Sequence, residues 1–377
     1  MAESGQSRPT IQRVPELDGL RGCAILLVLI FHYVGWPLAA SSSPDQTLSV
    51  ITQALSLTWS GVDLFFVLSG FLIGGILLDH RQAPNYFQVF YLRRICRIVP
   101  LYVALIGLFL VVQHLNPADV TRRLLWLFEP AMPLWSYLTF TQNVYMAAWG
   151  LFGAQWLRVT WSLAIEGQFY MVFPWVVRHA PVRYLLVILL CGIVLAPLIR
   201  YSTDGRVAGF VSTFGRMDTL FCGALLALIV RKPDLFAFLA RHVRRVRVVV
   251  GLLFAVTVIL AFGHTEWGGV VHSWLAALYG GLLLLPLLDR QSVLARTLRS
   301  SVLGWLGHLS YAIYLFHQPI NHILHGMISA TEPLLKNWED AGITLGALLI
   351  TLLMAQALHV WIEKPIIRLG HRVRYSQ

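Results

Sequence analysis

Charge is what this sequence has least of. Only 12% of its 377 residues are Asp, Glu, Lys or Arg, and 57% are hydrophobic. An ordinary soluble domain carries about 25% charged residues. The deficit excludes a soluble globular chain and puts most of the sequence in lipid. Cysteine is scarce as well. Cys23, Cys96, Cys191 and Cys222 have no CxxC spacing and fall in or beside apolar runs, so neither a disulfide framework nor a metal site is indicated. No long linker, low-complexity tract or convincing internal repeat interrupts the chain, which counts against a transporter built on inverted repeats. Residues 1–15 are polar and lack a signal-peptide core, so they read as a cytoplasmic leader. The net charge of +11 does not indicate nucleic acid, because the basic residues sit at the ends of apolar runs and form no amphipathic patch.

What is present is a series of ten apolar runs long enough to cross a bilayer. They lie near 18–37, 58–78, 98–115, 161–177, 184–200, 215–230, 248–263, 270–288, 303–325 and 342–362. The expected fold is all-α: a polytopic transmembrane helix bundle of about ten spans in the cell (inner) membrane. One membrane domain covers 16–370, and a cytoplasmic tail covers 371–377. A further apolar stretch, 124–152, is broken by Glu129, Pro130 and Pro133 and is rich in aromatics. It reads as an interfacial or re-entrant segment on the outer side, with an eleventh span as the alternative. With the N-terminus inside, 21 of the 29 Lys and Arg fall in inner segments and six in outer ones. That asymmetry predicts both termini on the cytoplasmic side.

Within these runs a few ionisable residues stand out, and each is expensive in lipid unless it has a function or a partner. The first span opens Glu16-Leu17-Asp18-Gly19-Leu20-Arg21-Gly22 and carries His32. Arg21 and His32 are 11 positions apart, which puts them on one helix face with a rise of about 16 Å. The second span begins Ser60-Gly61-Val62-Asp63 and continues through Ser69 and Gly70. The third opens Tyr91-Leu92-Arg93-Arg94-Ile95-Cys96-Arg97. Three arginines in five positions at a helix start make an anion seat or an ordinary cytoplasmic basic cluster. The fourth span carries Glu166, the sixth opens Arg216-Met217-Asp218, and the ninth carries His317. Counted from the span ends, His32, Asp63, Glu166 and His317 fall at a similar depth in the outer half. A histidine beside a carboxylate is a standard general base for a hydroxyl. Glu166 is the first candidate for that carboxylate and Asp63 the second. His317 is expected to orient an acceptor or to cap the bundle. Arg216 and Asp218 are expected to pair with each other, and Glu363 with the arginine cluster.

In this order, these motifs resemble the integral-membrane acyltransferase family 3. They are Arg21 with His32, the Gly61-to-Leu72 segment, the arginines between Tyr91 and Pro100, Trp161-Ser162 to Tyr170, Arg216 to Ala224, Tyr311 to Pro319, and Glu363-Lys364-Pro365. The resemblance covers about 14–370. It implies an O-acyltransferase that moves an acetyl or other short acyl group from cytoplasmic acyl-CoA, acetyl-CoA above all, and needs no metal. The acceptor it implies is a hydroxyl of a glycan, a lipid-linked sugar or a small molecule. It also implies that His32 is the catalytic histidine with Arg21 its companion, and that Arg94 and Arg97, beside Arg93, help hold the CoA. Some relatives carry an added C-terminal esterase-like domain, and none is seen before Gln377. Ser69, Arg216, Asp218 and His317 are expected to support the site or the acceptor. Direct transfer and an acyl-histidine intermediate both remain open. The alternative is a transporter or flippase for a glycan or acyl donor that uses the intramembrane His, Asp and Glu as a proton relay.

Overall fold

The computed structural model describes residues 14–41, 46–115, 118–203, 206–262 and 268–376. The expected leader falls almost wholly outside them. All ten apolar runs form helices, and no strand occurs among the described residues. The ten are α1 (Pro15–Ile30), α2 (Gly61–Asp79), α3 (Tyr86–Leu115), α4 (Thr160–His179), α5 (Val182–Ser202), α6 (Met217–Val230), α7 (Val243–Phe262), α8 (Val271–Leu288), α9 (Ser301–Ser329) and α10 (Trp338–Leu358). Seven helical stretches are long and apolar enough to cross a membrane: Pro15–Ser41, Val50–Asp79, Tyr86–His114, Val182–Ser202, Val243–Phe262, Gly268–Leu288 and Trp338–Arg372. This is a multi-pass membrane protein. The remaining three runs are α4, α6 and α9. With 14 residues, α6 reaches only about 21 Å, short of a hydrocarbon core of about 30 Å. The other two are longer but carry polar residues along much of their length.

Residues 124–152 do not form one continuous helix. Ala118–Phe128, Leu134–Leu138 and Gln142–Trp149 are separate pieces of 11, 5 and 8 residues, and a single span needs about 20. The first break falls where Glu129, Pro130 and Pro133 stand, and the second at Thr139–Thr141. The segment is tied into the bundle by two buried amides. Gln142 Nε2 donates to Thr160 O (2.9 Å) and Tyr102 OH (3.2 Å). Asn143 Nδ2 donates to Thr213 Oγ1 (2.9 Å) and Val211 O (3.1 Å).

The helices sort by how apolar their circumference is. Those apolar on every side, α5 and α7, sit at the rim and expose Val187, Val194, Leu252 and Ile259, as expected of surfaces that face lipid tails. The centre is built from α1, α2, α4, α6 and α9. The first packs on α2 and α9, and α2 packs along α6. Without a hydrophobic drive between helices in lipid, close approach depends on small residues. A β-carbon on Gly70 would lie 1.9 Å from Leu220 O, and one on Gly223 2.0 Å from Val67 O. These reciprocal contacts press the backbones of α2 and α6 together and place Asp63 opposite Arg216. Polar layers close both ends of the bundle. At the end expected to face the cytoplasm, Arg231 grips both Asp79 oxygens at 2.7 Å, and Arg299 reaches Glu16 at 3.5 Å.

Replacing Gly70 with Leu should therefore separate α2 from α6. It should lower the thermal midpoint of the detergent-purified protein by the equivalent of at least about 1–3 kcal/mol. Gly251→Leu, where nothing lies within 4 Å, should leave the midpoint nearly unchanged.

Candidate active site

His32 sits in a turn where the first helix changes pitch. Phe31–Gly35 is a π-helical segment that links α1 to Trp36–Ser41. Such one-turn π insertions are rare and gather at functional sites. Its partner is another histidine. His32 Nδ1 lies 3.1 Å from His317 Nε2 and 3.0 Å from Val28 O. On the far side of the pair, His317 Nδ1 lies 2.8 Å from Tyr314 O and 3.1 Å from Ile313 O. Carbonyl oxygens only accept, so His317 carries its proton on Nδ1 and offers Nε2 as a bare acceptor. His32 Nδ1 then faces two acceptors and must itself be the protonated nitrogen. That leaves the lone pair of His32 on Nε2. Tyr33 OH braces the assembly, donating to His317 O and meeting Thr351 Oγ1, both at 2.8 Å.

The expected carboxylate partner of His32 is therefore corrected: neither Glu166 nor Asp63 reaches it. Asp63 is fully buried. It takes a hydrogen bond from Arg216 Nη2 (2.9 Å) and lies 3.1 Å from His272 Nδ1. The Arg216 guanidinium is walled by Phe66, Trp161 and Phe210, each 5.4–5.7 Å away. Glu166 accepts from Tyr170 OH (3.2 Å), and that hydroxyl pairs with Ser69 Oγ at 2.6 Å. The similar depth inferred for the four residues fails for a geometric reason. Gly61 at the head of α2 packs on Ala24 of α1, so Asp63 lies one to two turns inward of His32. Ser69, with Glu166 beside it, lies six residues further in than Asp63, or about 9 Å. Helix ends read from hydropathy do not show how far each helix has slid along its neighbours.

Two further expected pairings are replaced. Asp218 binds Arg200 Nη2 (2.8 Å) and Ser273 Oγ (2.5 Å) in place of Arg216. Positions i and i+2 point to different sides of a helix. Glu363 pairs with His359 at 2.9 Å and not with the arginine cluster. His272 and Arg200 were missed as parts of this outer network. His272 stands just inside an apolar run, so the rule that picked out His32 would have found it.

At the end expected to face the cytoplasm, the structure brings arginines of α1 and α3 together. Arg21, Arg94 and Arg97 line one cavity of about 110 Å³, with Glu166, Tyr170 and Ser69 on its wall. Ser162, Phe65 and Tyr314 line it as well. The Tyr314 ring stands 6.0 Å from His317, so the cavity approaches the histidine pair from below. Arg93 does not line it. Its Nη2 donates to Val373 O (3.0 Å), and its guanidinium lies over Tyr375 at 5.1 Å.

The family described as an acyltransferase domain matches residues 14–360. The O-acetyltransferase OatA of Staphylococcus aureus is 26% identical over 380 residues, covering 95% of this chain and 58% of that protein. The peptidoglycan O-acetyltransferase OatA of Listeria monocytogenes is 27% identical over 388 residues, with 95% and 56% covered. The chain thus spans a little more than half the length of these curated relatives. No solved structure matches.

Because Asp63 neutralises a buried guanidinium, Asp63→Ala should act mainly on stability. Removing one member of a buried ion pair costs about 3–5 kcal/mol. The expected result is a large drop in thermal midpoint or in the yield of monodisperse protein. A variant of wild-type stability would show that Arg216 does not depend on this carboxylate.

Proposed function

This chain belongs to the acyltransferase-domain family, from which we infer that it is an acyltransferase. From that premise we propose that it moves an acetyl or other short acyl group from cytoplasmic acyl-CoA to a hydroxyl of an outward-facing glycan, with His32 as general base. One observation carries the proposal. Three half-buried arginines share a cavity whose wall includes Tyr314, and the Tyr314 ring stands 6.0 Å from His317, the partner of a histidine with an unshared Nε2 lone pair. Along α1, Arg21 and His32 are separated by about 16 Å, a distance that an extended pantetheine arm can follow. Arg21, Arg94 and Arg97 would seat the CoA phosphates, since guanidinium groups bind them through forked, charge-assisted hydrogen bonds. Arg93 stands at the rim, held by the C-terminal segment.

In this scheme His32 Nε2 takes the proton of the acceptor hydroxyl as the oxygen attacks the thioester carbonyl carbon. The carbon–sulfur bond breaks, and the thiolate leaves and recovers that proton from the imidazolium. CoA thiol and acylated acceptor are the products, and no proton is gained or lost. His317 fixes the tautomer that leaves Nε2 available. A relay for transport is less well supported. Asp63 is held by Arg216, and Glu166 by Tyr170 well inward of His32, so among the described residues neither acid reaches the histidine pair. The strong inner bias of Lys and Arg supports ten spans with both termini cytoplasmic in the cell membrane. The Listeria relative is named for peptidoglycan, which favours a glycan as acceptor here.

His32→Ala should abolish acyl transfer from acyl-CoA while the protein stays folded in the membrane. His317→Ala should lower kcat by roughly 10²-fold, within the range of positioned general-base catalysis, and leave the KM for acyl-CoA nearly unchanged. Arg94→Gln and Arg97→Gln should each raise that KM about tenfold, the equivalent of one charge-assisted hydrogen bond of about 1.4 kcal/mol. The measurement is release of CoA thiol by purified protein with a soluble saccharide acceptor. Full turnover by His32→Ala would end the proposal.

A further inference from the structure

Beyond the histidine pair, α9 continues outward with a polar face that the acyl-transfer scheme does not use. His317, Gln318, Asn321, His322 and His325 fall within an arc of about 140° at 100° per residue. Gln318 is only 5% exposed, Asn321 1% and His325 0%. Gln318 Oε1, Asn321 Oδ1 and His325 Nδ1 find no hydrogen-bond partner among the described residues. His322 Nδ1 lies 2.8 Å from Gln318 O and so donates to it, which leaves its Nε2 as an acceptor. Its ring packs on Trp126 at 5.3 Å.

Buried polar atoms are nearly always paired, and each one left unpaired costs about 1–3 kcal/mol. Here three lie on one face of one helix, beginning one residue from His317. All three are acceptors or can act as such. The chemistry that satisfies a row of acceptors is a row of hydroxyl donors. Arg158, with an unpartnered Nε of its own, is close enough to His32 and His322 to act on both electrostatically. It adds a donor for ring or carbonyl oxygens. Trp126 supplies an aromatic surface at the edge of the row.

We propose that Gln318, Asn321 and His322 form the acceptor subsite, taking hydrogen bonds from the hydroxyls of a carbohydrate ring so that a neighbouring hydroxyl is presented to His32 Nε2. The assignment rests on the acyl-transfer reading for its purpose, but its binding test does not require turnover. Asn321 lies one helical turn, about 5–6 Å, outward of His317, on the side away from the arginines. Donor and acceptor would then enter from opposite ends and meet at the histidine pair.

The test uses the full chain in lipid nanodiscs and the variants Asn321→Leu and Gln318→Leu. Leucine is close in size to both amides and makes no hydrogen bonds. Two binding measurements are made by equilibrium dialysis, one with a labelled β-1,4-linked N-acetylglucosamine tetramer and one with labelled acetyl-CoA. We expect each variant to bind the saccharide at least tenfold more weakly and acetyl-CoA as the wild type does. We also expect each variant, without saccharide, to be at least as thermostable as the wild type, because a buried amide whose oxygen has no partner has been replaced by an apolar group of similar shape. A purely structural role for these amides gives the opposite pattern, with lower stability and unchanged saccharide binding, and would overturn the proposal. Failure of the wild type to bind the tetramer would overturn it too. Saccharide binding without acetyl-CoA binding would instead sink the acyl-transfer reading and leave this subsite standing.

Discussion

A histidine in the interior of a membrane bundle is tolerable only if its nitrogens find partners. The rest of this site depends on how His32 finds one. The partner is His317, a neutral ring whose own Nδ1 is spent on the backbone carbonyls of Tyr314 and Ile313. A carboxylate would hold the same tautomer, but it would bring a charge that must be neutralised in lipid. Two imidazoles linked through one hydrogen bond bring none. The arrangement fixes which nitrogen of His32 is basic at little electrostatic cost. It also ties His32 to α9, the helix that carries the further polar face.

The charges that the bundle does bury are kept apart from this pair and matched within their own layers. Asp63, Arg216 and His272 form one group, and Arg200, Asp218 and Ser273 form another. Buried ion pairs of this kind contribute little net stability, but they penalise any arrangement that would separate them. The close α2–α6 backbone contact at Gly70 and Gly223 sets the register that lets Asp63 meet Arg216. The glycines and the ion pair therefore support one geometry, and that geometry holds α2 along one wall of the arginine-lined cavity. Packing, charge matching and the cavity wall thus meet on α2.

Much of this was legible in the residues. The ten apolar runs all became helices, because long lipid-length hydrophobic stretches leave the backbone no other way to satisfy itself. Glu129, Pro130 and Pro133 marked the first break in that segment, where two prolines and a charge fall within five residues; single prolines such as Pro100 and Pro319 stay inside their helices. Arg93, Arg94 and Arg97 were expected as one anion seat with Arg21 beside His32; Arg21, Arg94 and Arg97 share a cavity, and Arg93 does not line it. The pairing of side chains was not legible. It depends on how far each helix slides along the next, and hydropathy is blind to a shift of one turn. That is why Glu166 and Asp63 were assigned to His32, while the structure gives them to Tyr170 and Arg216. The π turn at Phe31–Gly35, in which His32 stands, leaves no mark in composition.

The central claim is that His32 is held as the Nδ1–H tautomer by His317, with Nε2 unprotonated. Nitrogen-15 NMR of histidine-labelled protein in nanodiscs near neutral pH, with the His32 signals identified by their absence from His32→Ala, reads this directly. The account predicts a neutral ring protonated at Nδ1 whose tautomer becomes mixed in His317→Ala. A ring protonated at Nε2, or a cationic imidazolium, would contradict it.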